Sequence, residues 1–199
     1  MAPAETAGIG VFGGTFDPPH IGHLVAAANV RHVLGLDRVL LVVAAVPWQK
    51  VHLPVSSAAD RLAMVTAAVE GVDGLEASAL EVERGGPSYT ADTLAALSTA
   101  QPGVALSVVL GSDAAAGLGT WERVEEVKRL AELVVVTRPG SEAAALPDGW
   151  TARSVEIPRL EVSSTDLRAR VADGRPLRWL VPDPVVAIVR ERGLYAASR

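Results

Sequence analysis

Short apolar runs rich in β-branched residues recur along the chain, at positions 9–12, 39–44, 104–110 and 133–136. Strands covered on both faces need such near-continuous runs, whereas a strand with one wet face alternates. Positions 75–82 do alternate, which predicts a strand nearer the sheet edge. Between these runs lie stretches of helical period at 22–34, 58–69, 90–98 and 121–130. Ser57 and Asp60 are spaced to cap the second of these, and Thr90 can cap the third. In the fourth, which opens at Trp121, Glu122, Glu125 and Glu126 precede Lys128 and Arg129, the charge order that a helix dipole favours.

Strand and helix therefore alternate, which predicts an α/β fold: a Rossmann-like, doubly wound parallel sheet with helices on both faces. After Arg138-Pro-Gly140 the pattern loosens into a surface loop at 141–150 and a late strand at 151–157. Two closing C-terminal helices follow. One is capped by Ser163 or Ser164 and stopped by Gly174; the other starts at Asp183-Pro184 and stops at Gly193. With no internal repeat and no dividing linker, residues 8–199 read as a single domain behind a flexible tail of residues 1–7.

Composition narrows the function. The 199 residues are 49% hydrophobic and 21% charged, enough for a core and too little charge for disorder. Absence of cysteine excludes disulfides, thiolate zinc sites and a cysteine nucleophile. A net charge of −5 speaks against nucleic acid as a partner. The start lacks a basic segment followed by an apolar one, and the longest apolar run falls far short of the roughly 20 residues of a membrane span. A cytoplasmic protein without a membrane partner is the expectation.

Gly13-Gly-Thr-Phe-Asp-Pro-Pro-His-Ile-Gly-His23 follows the first predicted strand and opens the first helix. In a parallel fold that is the carboxyl edge of the sheet, where ligands bind. The glycine pair suits close backbone approach and positive φ, and Pro18 and Pro19 stiffen the turn. His20 and His23, one helical turn apart, can face one space beside the unpaired N–H groups of the helix start. That combination suits a polyphosphate. It suits zinc less, since no glutamate separates the histidines and no third ligand lies nearby. Phe16 reads as a packing residue and Asp17 as a turn residue.

Far along the chain, Val162-Ser-Ser-Thr-Asp-Leu-Arg168 brings three hydroxyls to a new helix start, with Arg168 on the same face. The arginine can offer a planar fork to phosphate; an ordinary cap followed by a solvated arginine is the competing reading. Gly111-Ser-Asp113 ends the strand at 104–110, so Asp113 can meet ribose hydroxyls or cap a helix.

The first motif resembles the (H/T)xGH signature of the nucleotidyltransferase α/β-phosphodiesterase superfamily, and the second resembles that superfamily's (I/V)SSTxxR motif. The resemblance implies transfer of a nucleotidyl group from a nucleoside triphosphate to an acceptor phosphate, with release of pyrophosphate. It makes His20, His23 and Arg168 catalytic, and assigns Gly13, Gly14, Thr15, Phe16, Gly111, Asp113, Ser163, Ser164 and Thr165 to ATP. Arg84-Gly-Gly-Pro-Ser-Tyr-Thr-Ala-Asp-Thr-Leu94, Gly111-Ser-Asp113 with Trp121, Thr137-Arg-Pro-Gly140, and Trp179-Leu-Val-Pro-Asp183 with Gly193-Leu-Tyr195 resemble, within that superfamily, the bacterial nicotinate-mononucleotide adenylyltransferases. Most of 9–195 is covered by this resemblance.

It implies ATP and nicotinate mononucleotide as substrates in NAD biosynthesis. Backbone N–H groups at Tyr89 and Thr90 would meet the nicotinate carboxylate, Trp121 would stack on the pyridine ring, and Lys50 and Arg138 would take the mononucleotide phosphate. Mg²⁺ is expected, held mainly by substrate phosphates and water. In one place the chain departs from the family: many members carry Pro-His-Lys where this chain reads Pro47-Trp-Gln-Lys50, so Gln49 can donate a hydrogen bond but brings no charge. Phosphopantetheine adenylyltransferase, a non-catalytic adenine-nucleotide sensor of the same fold, and a homo-oligomer all stay open.

Overall fold

The computed structural model describes residues 8–47, 54–140, 146–147 and 149–197. The apolar runs become six parallel strands: β1 (Gly8–Gly14), β2 (Arg38–Val43), β3 (Leu75–Ser78), β4 (Ala105–Gly111), β5 (Glu132–Thr137) and β6 (Ala152–Glu156). Their order is β3-β2-β1-β4-β5-β6. The order reverses between β1 and β4, and the crevice outside their carboxyl ends is where such sheets bind ligands.

Both faces are covered, as the continuous runs require. Along β2, Val39, Leu41 and Val43 turn to one face, where they meet Ala27 and Val30 of α1 (Ile21–Leu34) and Val65 and Val69 of α2 (Ala58–Val69). Leu40 and Val42 turn to the other, against Leu94 and Leu97 of α4 (Thr90–Ala100) and Val127 of α6 (Val124–Leu130). A third cluster joins Met64 and Ala68 of α2 to Leu167 of α7 (Ser164–Ala172) and Val185, Val186 and Val189 of α8 (Asp183–Glu191). The closing helices are thus fastened to α2. Among the described residues no helix is long and apolar enough to cross a membrane.

Three local expectations need correction. The strand at 75–82 ends at Ser78, whose hydroxyl lies 3.4 Å from the Leu80 N–H, and the chain turns into α3 (Leu80–Arg84). Apolar alternation continues through that single turn, so period alone cannot mark the change. Thr90 is the first helical residue of α4, with Tyr89 in the cap position and no side-chain cap bond. Trp121 precedes α6: a 3₁₀ turn at Leu118–Thr120 and a left-handed Arg123 (φ 52°) come first, and Arg123 is ion-paired to Asp92 of α4. That long-range pair is invisible to a propensity argument. Between α4 and the 3₁₀ turn, β4 runs into the short α5 (Ser112–Ala116). Ser57 does cap α2, its hydroxyl accepting the Asp60 N–H at 3.0 Å, and Ser163 rather than Ser164 caps α7.

Candidate active site

Residues 13–20 leave β1 and fold back into α1, crossing the crevice. Neither glycine of the pair takes positive φ; both continue the strand, and Phe16 is the residue in the left-handed region (φ 50°). Gly14 is needed for another reason. A Cβ there would stand 2.7 Å from the Phe16 ring, which is 2% exposed and folded under the turn. That ring therefore packs rather than meets a nucleotide, and its edge-to-face contact with His23 (centroids 5.0 Å apart) braces the second histidine.

His20 occupies the cap position of α1, and its backbone N–H donates to His23 Nδ1 at 3.2 Å. A neutral His23 consequently carries its proton on Nε2. The two imidazoles stack, with centroids 3.7 Å apart and planes 25° apart. Burial, with a smaller contribution from the Arg138 charge, pushes the His20 pKa down to about 4, so this ring is neutral near pH 7. Its Nδ1 is buried without a hydrogen-bond partner among the described residues. Gly22 makes room for it: a Cβ there would come 3.0 Å from that Nδ1 and 3.2 Å from Val162 of the second motif. One of the helix-start donors is already engaged, the Ile21 N–H donating to the Leu180 carbonyl at 3.0 Å.

The second motif is clipped directly onto this turn. Ser164 donates its hydroxyl to the Pro18 carbonyl (2.9 Å), and Arg168 donates to the Asp17 carbonyl (2.9 Å) and to Thr165 Oγ1 (3.3 Å). Ser163 Oγ accepts the Asp166 N–H at 3.1 Å. The three hydroxyls assigned to ATP are thus engaged within the protein, one building the junction, one capping α7 and one orienting the arginine.

Asp17 is more than a turn residue. It is 3% exposed, and its carboxylate accepts from the Ser56 N–H (3.0 Å) and the Tyr195 hydroxyl (2.5 Å). Burial and the Asp17 carboxylate push the tyrosine pKa up, so Tyr195 stays a donor. Tyr195→Phe leaves a buried carboxylate oxygen short of a partner and is expected to cost about 1–3 kcal/mol, read from the urea midpoint.

Residues 13–15 also border a cavity. Gly13, Gly14 and Thr15 line it together with Ala44, Pro47, Ser88, Tyr89, Thr90 and Trp121. Tyr89, Thr90 and Trp121 are therefore brought together as the sequence suggests. Buried Glu81, which accepts the Thr93 hydroxyl at 2.6 Å, also lines it and escaped the sequence reading, because a glutamate on one helical turn carries no signal of its own. Gly111 caps α5 at the end of β4, and Asp113 is exposed in the first turn of that helix. Arg138, exposed at the end of β5, does not line the cavity. Its charge contributes to lowering the His20 and Glu161 pKa values. Lys50, Gln49 and residues 1–7 lie outside the described residues.

Paired imidazoles and a guanidinium at the carboxyl edge of a parallel sheet, with a cavity lined by Tyr89 and Trp121 at the same glycine turn, fit a nucleotidyltransferase. The family model described as cytidylyltransferase-like matches residues 11–170. A protein of Saccharopolyspora erythraea described as a probable nicotinate-nucleotide adenylyltransferase is 46% identical over 189 residues, covering 94% of this chain and 89% of that one. One from Exiguobacterium sibiricum with the same description is 45% identical over 188 residues, covering 94% and 98%. The fold also matches Plasmodium falciparum nicotinic acid mononucleotide adenylyltransferase complexed with NaAD, with a TM-score of 0.77 at 16% identity, covering 95% of this chain and 97% of that one. The chain belongs to the cytidylyltransferase-like family and, within it, to the nicotinate-nucleotide adenylyltransferases.

Proposed function

We propose that the protein transfers AMP from ATP to nicotinate mononucleotide, giving nicotinate adenine dinucleotide and pyrophosphate in NAD biosynthesis. The observation that carries this reading is the Arg168 to Asp17 carbonyl bond of 2.9 Å, which sets the guanidinium beside the histidine turn. A triphosphate held by His20, His23 and Arg168 can lie across residues 13–15 with its α-phosphorus turned towards the cavity.

An oxygen of the acceptor phosphate attacks that phosphorus in line, a new P–O bond forms, and the bond to the bridging oxygen of the β-phosphate breaks. The acceptor is already an anion near neutral pH, so no general base is needed. Positioning and stabilisation of the charge growing on pyrophosphate account for the rate. His23, with Nδ1 occupied, offers Nε2–H. Lys50 and Arg138 are the cations assigned to the acceptor phosphate. Mg²⁺ would accompany ATP and offset phosphate charge. Both carboxylate oxygens of Asp17 are engaged by Ser56 and Tyr195, so phosphates and water are the fitting ligands for that ion.

In the cavity, the backbone donors at Tyr89 and Thr90 suit a carboxylate, which only accepts, and oppose the N–H₂ group of an amide. Nicotinate mononucleotide is expected to be preferred over nicotinamide mononucleotide by about 1–3 kcal/mol, roughly 10- to 100-fold in kcat/KM. The test is pyrophosphate release from ATP with nicotinate mononucleotide, nicotinamide mononucleotide and phosphopantetheine side by side. Turnover with phosphopantetheine alone would move the protein to that adenylyltransferase. Tight ATP binding with no release in any arm would make it a sensor.

A further inference from the structure

Arg61, in the first turns of α2, is 1% exposed and lies outside both phosphate motifs. Its guanidinium donates to three backbone carbonyls: Nη1 to Thr15 (3.0 Å), Nη2 to Ala45 (3.1 Å) and Nε to Ser56 (2.9 Å). Two of these mark the place where the crevice opens. β1 and β2 run paired up to Gly14 and Val43, and the Ala44 N–H still donates to the Gly14 carbonyl at 3.0 Å. Beyond that bond the strands part. Thr15 continues into the histidine turn. Ala45 continues into the opposite wall, where its N–H donates to Ser88 Oγ (2.8 Å) and the Ser88 N–H donates to the Val46 carbonyl (3.2 Å), next to Tyr89. One planar group thus spans the gap between donor wall and acceptor wall from behind.

We infer that Arg61, which touches neither substrate, is the positioning residue that fixes the separation of the two reacting phosphates by bridging the Thr15 and Ala45 carbonyls; this rests on the function proposed above. A rigid fork sets the distance between its two acceptors, whereas a lysine ammonium on a flexible stem does not. Asp17 stands close enough for its charge to favour the buried guanidinium, and it grips the other end of the same structure through the Ser56 N–H. Stability alone gives little reason to bury this charge, because buried ions are often replaceable by apolar side chains without loss.

Separation of the walls matters only to the step that uses both. Each substrate alone rests mainly on one wall, while in-line attack senses the distance between them, and a misplacement of about 1 Å can cost on the order of 10²-fold. Arg61→Lys and Arg61→Gln are compared with wild type in three measurements: calorimetric binding of α,β-methylene-ATP alone, calorimetric binding of nicotinate mononucleotide alone, and kcat for pyrophosphate release. We expect each binding constant to stay within about threefold while kcat falls about 30-fold or more, with Gln, which lacks the fork and the charge, worse than Lys. A kcat loss under about tenfold in both variants overturns the inference. So does joint loss of binding and turnover, whether by unfolding or by collapse of the site. A wild-type protein that binds ATP but forms no dinucleotide refutes the proposed function first, and the inference falls with it.

Discussion

Replacing His20 or His23 with alanine is expected to lower kcat for pyrophosphate release by about 10²–10³, the loss that follows removal of one preorganised donor from a developing anion. The geometry explains why the donors count as preorganised. His23 is held by the His20 N–H at Nδ1 and by the edge of Phe16, so its Nε2–H has its direction before ATP arrives. His20 is held by the stack and by close packing against Gly22, where a Cβ would come 3.0 Å from its Nδ1. Because these interactions strengthen as charge builds on pyrophosphate, the KM for ATP should move much less than kcat. His23→Ala removes a further element, the acceptor for the His20 N–H, and should be the more damaging of the two. Steady-state kinetics at saturating acceptor checks both; a variant with near-normal turnover takes that histidine out of the mechanism.

Much of this architecture was legible because the apolar runs were continuous. β2 buries Leu40 and Leu41 on opposite faces, and only a sheet covered twice asks for that. The two phosphate motifs were legible as motifs; the first sits where the order reverses between β1 and β4, whereas the second follows the edge strand β6 and is brought to the first by the Ser164 and Arg168 bonds. What stayed hidden has a common physical origin. Phe16 at positive φ, Arg123 at positive φ and the reach of Arg61 to Thr15 and Ala45 are set by tertiary contacts, which overrule local preference. The serine and threonine hydroxyls of the second motif carry the same lesson in reverse. Their chemistry suits phosphate, yet the junction with Pro18 and the cap at Asp166 take two of them.

Stability should fall by about 3 kcal/mol through His20 alone as pH drops from about 6.5 to about 4. The sign follows from which state holds the proton. In the unfolded chain His20 titrates near 6.5, while in the folded protein burial and Arg138 hold it neutral down to about 4. Between those values the unfolded state binds more protons, so acid favours unfolding; below about 4 both states are protonated and the loss levels off. At 8% exposure the ring is screened little by solvent. His20→Asn removes the titration, so urea unfolding of wild type and variant at pH 7, 5.5 and 4.5 isolates it: wild type should lose ground to the variant steadily across that series, and a constant gap would mean that His20 does not titrate in this window. The same linkage ties stability to mechanism. A triphosphate brought against the ring opposes the field of Arg138 and favours the imidazolium. ATP binding should therefore take up protons as pH falls towards about 4, and the affinity for ATP should rise with that uptake, until the nucleotide itself protonates. Burial that keeps His20 neutral in the empty protein would thus make its positive charge conditional on a bound anion.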